Sequence, residues 1–120
     1  MRFLSMIRIN ENSGLAPSEQ LMQDMGKLID EMTRNGTLVS TAGLRPTAEG
    51  VRVRLRRGKL STTDGPFIET KEVIGGYAIL EAGSMAQAVE LTRRFLQVHG
   101  DGWDIECEVR QLDGPEIGAA

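Results

Sequence analysis

Two stretches of helical periodicity, separated by about fifty residues of strand and turn, constrain this chain more than any other feature. The first begins at Pro17 in "APSEQ", where proline suits the first helical position and Glu19 favours the exposed amides of the first turn. It carries Leu21, Met25, Leu28, Ile29 and Met32 on one stripe and ends near Asn35, with Gly36 as the left-handed cap. Gly26, in its middle, implies close packing at that point. The second begins with a capping box, Ser84 and Gln87, places Ala88, Leu91, Thr92, Phe95 and His99 on one side, and stops at Gly100. The intervening and flanking segments read as strands. Residues 2–9 are apolar on both faces, as in a central strand, and residues 37–46 form a second strand. "VRVRLRRGKL" alternates Val51, Val53 and Leu55 against Arg52, Arg54 and Arg56, then turns at 57–59 into "LSTT". "IGGYAILEA" and "WDIECEVRQL" complete the set, the latter with Trp103, Ile105, Cys107 and Val109 on one face.

Two helices cannot cover both faces of a mostly antiparallel sheet, so both belong on one face. The expectation is an α+β, ferredoxin-like sandwich with an added β-hairpin, in a single domain of 120 residues. Its open face is expected to carry the three arginines together with Glu106, Glu108 and Arg110. Pairing that face with the same face of a second copy predicts a homodimer whose sheets enclose a partly polar cavity.

Composition narrows the function. A net charge of -3 and only 4% aromatic residues argue against a nucleic-acid surface, which needs a basic field and, for single strands, stacking rings. The arginine strand is therefore expected to partner Glu106 and Glu108 across the sheet or the dimer cavity. No stretch approaches the roughly 18–20 apolar residues of a membrane span, and residues 1–10 read as a strand and not a signal peptide. A single Cys107 fits a reducing cytoplasm. No Cys/His cluster has zinc spacing and no phosphate-binding glycine pattern opens a helix, so neither a metal nor a cofactor is expected.

The chemistry, if any, concentrates in "TTDGPFIETKEVIGGY", residues 62–77. Asp64 admits two readings. In one, Asp64-Gly65-Pro66 is a turn in which the carboxylate serves the backbone and Gly65 adopts a conformation closed to other residues. In the other, the same turn holds Asp64 rigidly at the mouth of the cavity as a general base or a cation anchor. Phe67 walls that pocket or plugs the core end. Lys71 is a solvated surface charge or an anion clamp, restrained by Glu69 or Glu72. Gly75 and Gly76 mark a bulge or a close approach, Tyr77 closes the core edge, and His99 interacts with its helix end. Arg52 and Arg54 are the remaining candidates for substrate binding.

"TDGPFIETKEVIGGYAI", with "GLRP" at 43–46, the "VRVR" strand, "EA" at 81–82 and the closing "IECEVRQL", resembles the YCII-related family in its DGPF-domain branch. The resemblance implies a ferredoxin-like fold that dimerises into an α/β barrel. Enzyme-like members of that group use a His and an Asp in a cleft. Asp64 matches the Asp, whereas residues 1–98 contain no His and His99 lies in a different element. Some members are fused to or encoded beside extracytoplasmic-function sigma factors, which implies a regulatory alternative. Two functions follow. One is a small-molecule enzyme with lyase- or isomerase-like acid–base chemistry on a small anionic or aromatic ligand, using Asp64 as base, Gly65 and Phe67 as lining, and Lys71, Arg52 or Arg54 as anion clamp. The other is a non-catalytic dimeric ligand-binding or regulatory accessory module in which the DGPF turn is structural.

Overall fold

A computed structural model describes residues 1–115. Six strands and two helices run in the order β1 (Arg2–Ile9), α1 (Glu19–Arg34), β2 (Leu38–Gly43), β3 (Val51–Arg56), β4 (Lys59–Asp64), β5 (Val73–Glu81), α2 (Met85–His99) and β6 (Glu106–Gln111), with a short 3-10 turn at Thr47–Glu49. Four strands form one antiparallel sheet in the order β2-β5-β1-β6, and β3 and β4 form a separate two-stranded sheet. Without the hairpin, the remaining β-α-β-β-α-β chain with β1 and β5 central is the ferredoxin-like arrangement expected from the pattern. The protomer sheet does not close into a barrel.

Both helices pack on one face. Phe3 of β1, fully buried, meets Leu80 across the sheet, and Leu28 and Met32 of α1, Ala88 of α2 and Leu38 of β2 complete the same core, with Leu91, Phe95 and Val109 packed against it. Strand parity explains the selection, since Phe3 and Ser5 point to the helices while Leu4 and Met6 point away. The register then assigns the open face. Met6 is opposite Tyr77 and Glu108, Leu4 is opposite Ile79 and Arg110, and Arg8 is opposite Glu106. Tyr77 therefore lies on the open face beside Ser40, their hydroxyls 3.4 Å apart, and does not close the core edge. Between Gly76, opposite Ile7, and Ile74, opposite Arg8, Gly75 is the extra residue of a β-bulge, as the Gly pair suggested.

Local signals mostly hold. Ser84 accepts from the Gln87 amide, and the Gln87 side chain returns to the Gly83 amide, so the capping box closes one residue early. At α1 the first-turn residue is different. Ser18 is the N-cap and accepts from the Leu21 amide, so Glu19 takes the first helical position expected of Pro17, which lies just outside the helix. Gly26 also departs from expectation, because it faces solvent with no atom within 4 Å of where a Cβ would sit. Its cost is thus uncompensated. Gly26→Ala should raise stability by about 1 kcal/mol, read as a higher denaturant midpoint at unchanged slope; a destabilised variant would show that the helix needs glycine there.

The largest correction concerns the arginine strand. Arg52, Arg54 and Arg56 are not on the open face of the main sheet with Glu106 and Glu108, because β3 pairs only with β4. The two-residue turn between them uses Arg57 and Gly58, both with positive φ, at 50° and 79°. This left-handed pair matches the twist of a tight hairpin, and it makes β3 and β4 an independent arm.

Candidate functional site

Thr47 gathers the base of the arm. Its amide donates to Glu11 Oε2 at 3.0 Å and its hydroxyl donates to Glu11 Oε1, so the loop after β1 grips the 3-10 turn. The Gly50 amide donates to the Thr47 carbonyl at 2.9 Å, the Gly65 amide to the Gly50 carbonyl at 2.9 Å, and the Phe67 amide to Thr47 Oγ1 at 3.4 Å. Gly65 lies against the Thr47 carbonyl so closely that a Cβ on it would fall 1.6 Å from that oxygen. This contact explains the glycine of the "DGPF" stretch as a packing requirement between two backbones. The Gly65–Pro66 peptide bond is cis.

Glu11 and Thr47 were not singled out by sequence, since a lone Glu in a polar loop and a Thr after proline carry no pattern. The Thr47 hydroxyl, and next its amide, hold the Glu11 carboxyl below its ordinary value of 4.5. A depressed folded-state value means that the latch contributes fully above the unfolded value and is lost as pH falls through the folded one. Stability should therefore decline below about pH 4.5, and Glu11→Gln should flatten that acid limb; an acid limb of the same steepness in the variant would exclude the latch as its source.

Phe67, placed by this knot, lies beneath Arg52, whose guanidinium carbon is 3.8 Å from the ring centroid. Arg52 also bonds Glu69 Oε1 and donates from Nη2 to Thr70 Oγ1 at 3.1 Å. The Glu69 carboxyl is held low first by a backbone amide and then by Arg52. Glu69 thus pairs with Arg52 and not with Lys71. An arginine fixed by an aromatic face, a carboxylate and a hydroxyl loses little side-chain freedom when it binds something further.

Two clefts flank the ridge formed by residues 44–46 and 72–74. One, of about 480 Å³, opens between the arm base and the open sheet face and is lined by Met6, Arg8, Arg52, Phe67, Thr70 and Glu108, among others. The other, of about 740 Å³, is lined in part by Glu11, Arg45, Lys71, Glu72, Trp103 and Glu106. The structure thus brings Arg52 and Phe67 together and places Lys71 in the neighbouring cleft. Arg54 projects from the exposed arm and lines neither cleft. Asp64 is exposed, is the last residue of β4 opposite Val51, and belongs to neither lining; Gly65 is beside it in the knot. Gly75 lines the larger cleft. Arg8, 3.7 Å from Glu106, was missed by sequence because its value depends on β1–β6 register.

His99 behaves as expected of a helix end. Its Nδ1 donates to the Phe95 carbonyl at 3.0 Å and its ring makes edge contacts with Phe95 and Trp103. Cys107 is half-buried, and burial raises its thiol pKa, as suits a small apolar filler. Among the described residues, no three His, Cys, Asp or Glu side chains are grouped to hold a metal, and no helix is long and apolar enough to cross a membrane.

The fold and clefts define an α+β protein of ferredoxin-like topology carrying an inserted hairpin. The chain belongs to the YCII-related domain family, whose pattern matches residues 1–103. It is 31% identical over 75 residues to the uncharacterized protein R00369 of Rhizobium meliloti (strain 1021), a match that covers 62% of this chain and 60% of that protein. Among solved structures it is similar to CutA from the bacterium Xylella fastidiosa, with a TM-score of 0.43 and 12% identity over 96% of this chain and 86% of that one.

Proposed function

We propose that this protein, of the DGPF-type branch, binds a small anionic ligand with an aromatic or apolar body in the cleft between the arm base and the open sheet face. The observation that carries this reading is the preassembled Arg52, stacked on Phe67 and tied to Glu69 and Thr70 at the wall of that cleft. Arg8 supplies a second cation, and Met6, Phe67 and Ile74 supply apolar surface for the rest of the ligand. The DGPF turn acts as the brace that sets Phe67, which favours a binding or accessory module over a base-catalysed reaction at Asp64. A homodimer through the open sheet face accompanies this reading, because Leu4, Met6, Tyr77 and Ile79, half-buried, face away from both helices and have no helix or strand over them among the described residues. The lone thiol of Cys107 favours a cytoplasmic setting.

The test is a thermal-shift screen with aromatic and short aliphatic carboxylates on the wild type, Arg52→Ala and Asp64→Asn. A ligand at a hundred times its Kd adds about 2.7 kcal/mol to the folded state. We expect at least one acid to stabilise the wild type and Asp64→Asn alike, with at least tenfold weaker binding to Arg52→Ala. Loss of binding in Asp64→Asn with Arg52→Ala unaffected would move the site to the turn.

A further inference from the structure

One face of the β3–β4 arm is apolar and in water. Val53, Leu55 and Leu60 are 69%, 67% and 75% exposed, with Leu55 directly opposite Leu60. An isolated two-stranded ribbon is marginal on its own and is ordinarily supported by a third strand or a layer beneath. Here neither is present among the described residues, and the radius of gyration is 16.1 Å, against about 13.5 Å for a compact domain of this length. The arm extends outward.

Charge separates along the same boundary. Residues 51–59 contain five cations and no acid, so with a net charge of -3 for the chain the remainder carries -8. The open sheet face, over which no helix or strand lies among the described residues, offers the half-buried Leu4, Met6, Tyr77 and Ile79 beside Glu106 and Glu108, with Arg8 and Arg110 on the same face. Arm and face match in polarity, the five cations of the arm complement the net -8 of the rest of the chain, and one chain carries both.

We propose that the hairpin is an exchanged arm, which lays its Val53, Leu55 and Leu60 face on the open sheet face of a second copy and roofs that copy's cleft. A two-fold exchange covers both arms and both faces at once and closes at a dimer. A phosphate backbone laid along the arginines would leave the apolar side chains in water and meet an acidic body, so a second copy is the better occupant. This inference rests on the open-face dimer proposed above and adds what reaches across it.

The experiment uses the full chain with Cys107→Ser as background. One population carries Leu60→Cys, another carries a cysteine at Ser40 or at Glu108, on opposite margins of the open face, and the two are mixed, allowed to exchange and oxidised. Disulfides joining the Leu60→Cys chain to either face variant are expected. Sedimentation as a dimer with only Leu60→Cys homodisulfides, or none, would overturn the arm and leave the open-face dimer standing. A wild type that sediments as a monomer at micromolar concentration would overturn both, while ligand binding at Arg52, measured separately, is unaffected. In parallel, Leu55→Asp with Leu60→Asp should raise the dimer Kd at least tenfold with an unchanged circular dichroism spectrum; an unchanged Kd contradicts the arm, as does tight binding of duplex DNA by a monomer.

Discussion

Gly65→Ala is expected to destabilise the protein by about 3 kcal/mol, at the upper end of ordinary overpacking costs. The reason is steric and local. The new methyl would sit 1.6 Å from the Thr47 carbonyl oxygen and 2.6 Å from its carbon. Both are backbone atoms, so no rotamer change relieves the collision. Thr47 cannot retreat cheaply, because Glu11 holds its amide and hydroxyl and the Gly50 amide holds its carbonyl. The chain must instead separate the 3-10 turn from the DGPF turn, which releases Phe67 and with it Arg52. The melting temperature should fall by about 10 °C, and ligand binding should weaken together with stability. An alanine variant as stable as the wild type would mean that the two backbones are not in contact.

Phe3→Ala should cost about 4 kcal/mol, the usual range for truncating a fully buried phenylalanine being about 3–5 kcal/mol. Phe3 is 0% exposed and is the largest side chain so enclosed. It lies on the central strand, opposite Leu80, in the cluster that joins α1 to α2. Removal leaves a cavity under both helices, which cannot both collapse into it. Against a total stability of about 5–15 kcal/mol for ordinary domains, this is a large fraction. Chemical denaturation reads it directly. A loss below about 1 kcal/mol would indicate that the layers repack freely and that the core is not centred on β1.

The two predictions separate the parts of the molecule that sequence exposes from those it conceals. Helix stripes and strand alternation report which residues share a face, and that is why Leu21, Leu28 and Met32 of α1, and Cys107 and Val109 of β6, could be assigned to the helix side. Alternation does not report what covers a face. The regular pattern of Val51, Val53 and Leu55 against three arginines placed the arginines on the main sheet, whereas β3 pairs with β4 alone and leaves both faces of the arm exposed. Tyr77 was misplaced for a related reason, because its side follows from the Gly75 bulge and the register with Met6.

The site was legible in part for the same reason. Gly65 and Phe67 stand out within a recognisable stretch, but the partner of Gly65 is the backbone of Thr47, which no side-chain pattern announces. Arg52 and Phe67 are fifteen positions apart and meet because the arm folds back on its base. Arg8 enters only through the pairing of β1 with β6. Contacts of this kind depend on register and closure, and those are decided by the fold as a whole.

The proposed anion-binding site is the cleft walled by Arg52 and Phe67. Chemical-shift mapping of the isotope-labelled protein with benzoate as probe tests it most directly, since it reports position as well as binding. Saturable shifts are expected at Arg8, Arg52, Phe67 and Thr70, with Asp64 no more affected than other exposed residues. Shifts centred on Lys71 and Trp103 in the larger cleft, or no saturable shift with benzoate or with any acid found in the thermal screen, would contradict it.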